Sequence, residues 1–96
     1  MNGTSTQAGT AVIVGLGRSG VSAARHLVRR GWHIAVTDSR AEPPGVASLR
    51  EIAPEAPLRA GGFDASLLEG ASLVVASPGV SLAEPVLARA RALGIE

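Results

Sequence analysis

The sequence contains no cysteine, no lysine and no tyrosine, and each absence removes a class of chemistry. Without cysteine there is neither a disulfide framework nor a thiolate metal site. The two histidines, His26 and His33, do not make a metal cluster by themselves. Without lysine there is no P-loop, because that loop needs its lysine to reach the β- and γ-phosphates. Aromatics are nearly missing too, with Trp32 and Phe63 alone. Nine arginines against eight carboxylates leave a net charge of +1, scattered along the sequence. The basic stripe and stacking aromatics of a nucleic-acid binder are therefore not evident. No apolar run approaches the roughly 18 residues of a membrane span, and the polar start Met1 to Thr10 is not a signal peptide. These exclusions point to a cytoplasmic protein with neither nucleic acid nor membrane among its partners.

What is present is aliphatic. Ninety-six residues suit one domain, and a core of Ala, Val, Leu and Ile suits parallel strands covered on both faces. Residues 1–9 are Gly/Ser/Thr-rich and read as a disordered tail. Ala11 to Val14 is an apolar run ending at a glycine, the mark of a buried strand. From Ser19 to Arg30 the apolar Val21, Ala24, Leu27 and Val28 share one helical face, and Gly31 follows where a left-handed cap is common. Ile34 to Val36 is a second strand, and Val46 to Ile52 a short helix stopped by Pro54 and Pro57. Leu58 to Ala60 is a short third strand. Asp64 to Glu69 supplies one or two helical turns with Asp64 as N-cap. Leu73 to Ala76 is the fourth strand, and the last helix starts with Pro85 at its first position. Gly94-Ile95-Glu96 reads as a turn into a further strand, as if the sequence were part of a longer protein. Strands alternating with helices predict an α/β domain: a Rossmann-like, doubly wound parallel sheet of four to five strands.

Three segments carry chemistry. Gly15-Leu16-Gly17-Arg18-Ser19-Gly20 follows a strand and opens a helix, the context in which a glycine loop binds phosphate. Gly15 permits the turn, Gly17 lets the backbone approach a pyrophosphate, and Gly20 allows close packing of helix and strand. Free N–H groups and the positive end of the helix face the anion. Ser19 adds a hydroxyl, and Arg18 either reaches a phosphate or lies in solvent. Asp38-Ser39-Arg40 ends the second strand, with Asp38 eighteen residues past Gly20, about where an acid meets a ribose hydroxyl. Asp38 or its backbone is equally placed to read a base edge, and the Arg40 guanidinium to stack on a base. Ser77-Pro78-Gly79 ends the fourth strand, across the switch point where ligands sit in such sheets. No nucleophile–base pair or paired carboxylates stand at catalytic spacing, so no catalytic or metal-binding residue is assigned.

Taken together, the glycine loop, Thr37-Asp38-Ser39-Arg40 with Pro43-Pro44-Gly45, and Val75-Ala76-Ser77-Pro78-Gly79-Val80 resemble the N-terminal domain of the UDP-N-acetylmuramoyl-L-alanine–D-glutamate ligases of the Mur ligase family. The resemblance runs from Thr10 to Glu96. It implies that this segment is the UDP-substrate-binding domain of an ATP-dependent, amide-bond-forming ligase of cytoplasmic peptidoglycan-precursor synthesis. Backbone N–H groups near Arg18 and Ser19, with the Ser19 hydroxyl, would hold the diphosphate, and Gly17 and Gly20 would belong to the same UDP site. Asp38, Ser39 and Arg40 would surround the uracil, and Ser77, Pro78 and Gly79 would line the crevice. In the family ATP and magnesium sit in a central domain, where an acyl phosphate forms and the amine of glutamate attacks it. The resemblance therefore implies no cofactor and no ligase activity in this fragment, with the central ATPase and C-terminal domains elsewhere. Two other readings rest on the residues alone: a nicotinamide-binding domain of an oxidoreductase or redox-responsive regulator, and an α/β interaction module whose glycine loop is only structural.

Overall fold

Alternate residues of a single strand serve two different cores, and this decides the architecture. The computed structural model describes residues 9–81 and 84–95. In β1 (Thr10–Val14), Ala11 and Ile13 are fully buried on one face of the sheet while Val12 and Val14 are fully buried on the other. A strand covered on both sides belongs at the centre of a parallel sheet. The order is β3-β2-β1-β4, with β2 (His33–Thr37), β3 (Leu58–Arg59) and β4 (Leu73–Ala76) all parallel to their neighbours.

One core joins Ile13, Ile34 and Val36 to Ala24 and Leu27 of α1 (Arg18–Arg29) and Leu49 of α2 (Val46–Ile52). The other joins Val12 and Val14 to Leu68 of a 3-10 turn (Ala65–Leu68) and to Val86, Leu87 and Ala90 of α3 (Pro85–Ala92). Helices on both faces make the sheet doubly wound. From β1 the chain winds outward through β2 and β3, then crosses to β4 on the opposite side of β1. The topological switch point therefore lies between β1 and β4, at their carboxyl ends.

The local signals act as expected. Gly31 takes φ +90 just after α1, a conformation that costs glycine nothing. Asp64 caps the 3-10 turn, its Oδ1 accepting from the Ser66 N–H at 2.9 Å. Pro85 occupies the start of α3, where its missing N–H would have had no helical partner. Helix α1 begins one residue earlier than the apolar periodicity suggests, because the Gly17 carbonyl already accepts from Val21. Residues 1–8, where a disordered tail is expected, and Glu96 lie outside the described residues. Gly9 belongs to the sheet entry, its carbonyl accepting the His33 N–H at 3.0 Å.

Candidate functional site

The glycine loop is tied down at both flanks. Gly15 has φ +98, and its N–H donates to the Thr37 carbonyl at 2.8 Å. Gly20 packs so tightly under the loop that a Cβ there would run into the Gly15 carbonyl oxygen. The Leu16 carbonyl accepts from the Gly45 N–H at 3.1 Å, so the segment before α2 braces the loop from outside. At the start of α1, Gly17 supplies no side-chain cap. The N–H groups of Arg18, Ser19 and Gly20 have no hydrogen-bond acceptor among the described residues, which is the unsatisfied helix end that an anion fills.

Asp38 is the pivot of the site. Its residue exposure is 1%, and its two carboxylate oxygens accept four hydrogen bonds. Oδ2 accepts from the Leu16 N–H at 2.6 Å and from Arg40 Nη2 at 2.7 Å. Oδ1 accepts from the Arg40 backbone N–H at 2.7 Å and from Arg40 Nε at 2.9 Å. An ionised carboxylate has about four lone-pair positions, and all are used. Asp38 thus latches the glycine loop to the end of β2 and aims Arg40. The guanidinium, about half exposed, lies beside the loop: its Nη2 is the nearest heavy atom to where a Gly17 Cβ would stand, at 3.8 Å. Ser39, between the two, is exposed and carries no hydrogen bond among the described residues.

These groups open onto a cleft of about 470 Å³ at the carboxyl ends of the strands. Gly17, Asp38, Ser39, Arg40, Ser77 and Gly79 line it together. Arg18, Ser19, Gly20 and Pro78 do not. Arg18 instead lines a separate cleft between α1 and α2. Four lining residues escape the sequence reading as site residues: Phe63, Val80, Ser81 and Glu84. Phe63 reaches the cleft because buried Thr37 anchors the loop after β3. The Thr37 hydroxyl donates to the Arg59 carbonyl at 3.1 Å and accepts from the Asp64 N–H at 2.9 Å. The signal available was position, since Phe63 follows Gly61-Gly62 just past a strand end.

A family profile described as the N-terminal domain of MurD-like Mur ligases matches residues 9–96. The chain belongs to that family. Over 88 residues it is 57% identical to the UDP-N-acetylmuramoylalanine–D-glutamate ligase of Nitrosococcus oceani, covering 92% of this chain and 19% of that protein. It is 47% identical over 83 residues to the enzyme of the same name from Marinobacter nauticus, covering 86% of this chain and 19% of the relative. The ligase so named from Pseudomonas aeruginosa is 45% identical over 84 residues, covering 88% and 19%. The MurD-like domain thus spans about a fifth of the length of these curated relatives.

The latch in this MurD-like domain has a measurable consequence. The Arg40 hydrogen bonds, helped by the Leu16 N–H, hold the Asp38 carboxyl down to about 2. An unfolded aspartate titrates near 4, so the native state binds this proton more weakly than the unfolded chain. The contribution to stability is then full above about pH 4 and lost as pH falls toward 2. With Arg40 half exposed and partly screened, the loss is about 1–2 kcal/mol. Urea midpoints at pH 5 and pH 2.5 should therefore differ more for the wild type than for Asp38→Asn. Equal pH dependence in the two proteins would remove the latch from the account.

Proposed function

We propose that this domain holds the UDP moiety of UDP-N-acetylmuramoyl-L-alanine, as the substrate domain of the ligase that adds glutamate in cytoplasmic peptidoglycan-precursor synthesis. One observation carries the reading. Three strand-end segments converge on one cleft and bring to it unspent donors rather than catalytic pairs. The free N–H groups of Arg18, Ser19 and Gly20 do not line the cleft themselves, but they follow directly on Gly17, which does, and they suit the diphosphate. Ser39, the remaining N–H groups of Arg40 and the ring of Phe63 suit a pyrimidine base, while Ser77 and Gly79 border the path toward the sugar. Arg18 and Ser19 contribute through backbone N–H groups, and Asp38 through the geometry it imposes on Leu16 and Arg40. A P-loop needs a lysine and the chain has none, so ATP is not held here in that way. In this reading ATP and magnesium act in the remainder of the full-length ligase, where the amide bond forms. The domain alone then binds substrate without ligating it.

The saturated carboxylate also weighs against a nicotinamide cofactor. Such sites use an acid at this place to accept from a ribose hydroxyl, and Asp38 has no acceptor position left.

Calorimetric titration with UDP-N-acetylmuramoyl-L-alanine, NAD and Mg-ATP tests the reading. Only the first should saturate, and UDP should compete with it. Arg40→Ala should weaken binding about five- to 150-fold, as expected for losing a charge-assisted contact. It should also lower the melting temperature somewhat, because three of the four bonds to Asp38 involve Arg40, two of them through its side chain. Tighter saturation by NAD, or unchanged affinity in a folded Arg40→Ala domain, would contradict this assignment.

A further inference from the structure

Four of the nine arginines stand on α1 or at its C-cap. Arg18, Ser22, Arg25 and Arg29 are all exposed on α1. At 100° per residue they fall within an arc of roughly 60°, and the stripe runs for about 16 Å along the axis. His26 lies on its flank, and Arg30 follows at the C-cap. Helix α1 has no acidic residue at any position. Among the described residues none of Arg18, Arg25, Arg29 or Arg30 makes an ion pair or a side-chain hydrogen bond, unlike Arg40 and Arg59, which pair with Asp38 and Asp64.

Helix electrostatics explains only Arg29, which stands in the last turn at the negative end of the dipole. Arg18 stands in the first turn, at the positive end of the dipole, where a cation is unfavourable. Arg25 and Arg29 are like charges at i,i+4, a pairing that weakens a helix. The free domain therefore carries a repulsive row of charge with nothing opposite it. The surface beside the row is concave: Arg18, Ser22 and Arg25 form one wall of a cleft of about 300 Å³, with Pro44, Gly45 and Ser48 across it.

We propose that this face docks an acidic polypeptide segment, its carboxylates paired with Arg18, Arg25 and Arg29 and its backbone or side chains meeting Ser22 and Ser48. The length of the stripe selects a polymer with spaced charges over a single small anion, because one phosphate or carboxylate cannot reach both Arg18 and Arg29. The planar guanidinium fork matches carboxylates bidentately. The concave cleft does not fit a flat bilayer, and no large apolar side chain is exposed on α1 to enter one. Neither aromatic residue lines this cleft, so the stacking that single-stranded nucleic acid uses is missing here. The face adjoins the cleft assigned to UDP, sharing Gly17 with it, but Arg25 and Arg29 lie outside that cleft and let the two readings be tested separately.

The test uses a fluorescein-labelled, Ala-rich helical peptide of about 18 residues, long enough to hold a helix. Its glutamates are spaced to match the stripe, and a second peptide of equal composition spreads them around the helix. Anisotropy at low salt should show the matched peptide binding about tenfold tighter than the spread one. Arg25→Glu/Arg29→Glu should weaken the matched complex at least about tenfold, as removal of complementary charge does. The affinity for UDP-N-acetylmuramoyl-L-alanine should stay unchanged. Arg25→Gln/Arg29→Gln, which adds no new charge, should give a smaller loss in the same direction even if the reversal perturbs folding. Equal binding of the two peptides, no binding, or equal or tighter binding of single-stranded DNA or phosphatidylglycerol vesicles would overturn the proposal.

Discussion

Gly20→Ala should lower the melting temperature by about 8–16 °C, although alanine is the better helix former. In an exposed helix the change gains about 1 kcal/mol. Here the added methyl group would overlap the Gly15 carbonyl oxygen and approach Ile13 Cγ2 to 3.4 Å. The obstructing atom belongs to the backbone, and it is not free to swing aside. Gly15 is held at φ +98, its N–H bonded to Thr37, and a Cβ on Gly15 would itself meet Ser77 Cβ at 2.8 Å. Overpacking costs about 1–3 kcal/mol and occasionally more, and a rigid obstacle puts this site at the upper end. A net loss of about 2 kcal/mol is a large share of the stability of a domain this size. At about 4–8 °C per kcal/mol the shift is easily read in a thermal melt. A Gly20→Ala domain melting within about 2 °C of the wild type would mean that the helix and strand can separate without penalty.

Elements set by local rules were legible from the sequence. The run Ala11 to Val14 announces a doubly buried strand, Val46–Ile52 is bounded by Gly45 and Pro54, and Pro85 marks the start of α3. Convergence of the glycine loop, Asp38-Ser39-Arg40 and Ser77-Gly79 followed from strand order alone. Direction of side chains did not. Asp38 and Arg40 read separately as two ligand-facing groups, whereas the turn after β2 brings them together and spends the carboxylate inside the protein. Phe63 enters the cleft through contacts with sequence separations above twenty, made by Thr37 and by the Asp38–Gly62 bridge. Arg18 sits in the loop motif, yet its side chain lines the cleft between α1 and α2. Each of these depends on tertiary geometry that no spacing rule encodes.

Gly17→Val should abolish UDP-ligand binding while leaving the domain folded, and the two glycines thereby separate ligand from scaffold. Gly17 has φ −103 and ψ −153, extended backbone open to any residue. A Cβ there would meet only Arg40 Nη2, at 3.8 Å, an ordinary contact with the end of a flexible side chain. The protein itself therefore places no demand for glycine at this position. Valine caps a helix less well than glycine, by about 1 kcal/mol. The demand comes from the ligand in the proposed reading. A diphosphate seated on the N–H groups of Arg18, Ser19 and Gly20 must pass over Gly17, and an isopropyl group would occupy that space. Affinity for UDP-N-acetylmuramoyl-L-alanine should fall by at least about 100-fold, equivalent to about 2.7 kcal/mol. Calorimetry reads the binding, and a melt on the same sample reads the fold. If Gly17→Val binds like the wild type, the diphosphate does not approach this loop. Since the geometry leaves Gly17 no structural duty, that result could not be blamed on a rearranged scaffold, and the phosphate-binding reading would fail at its central point.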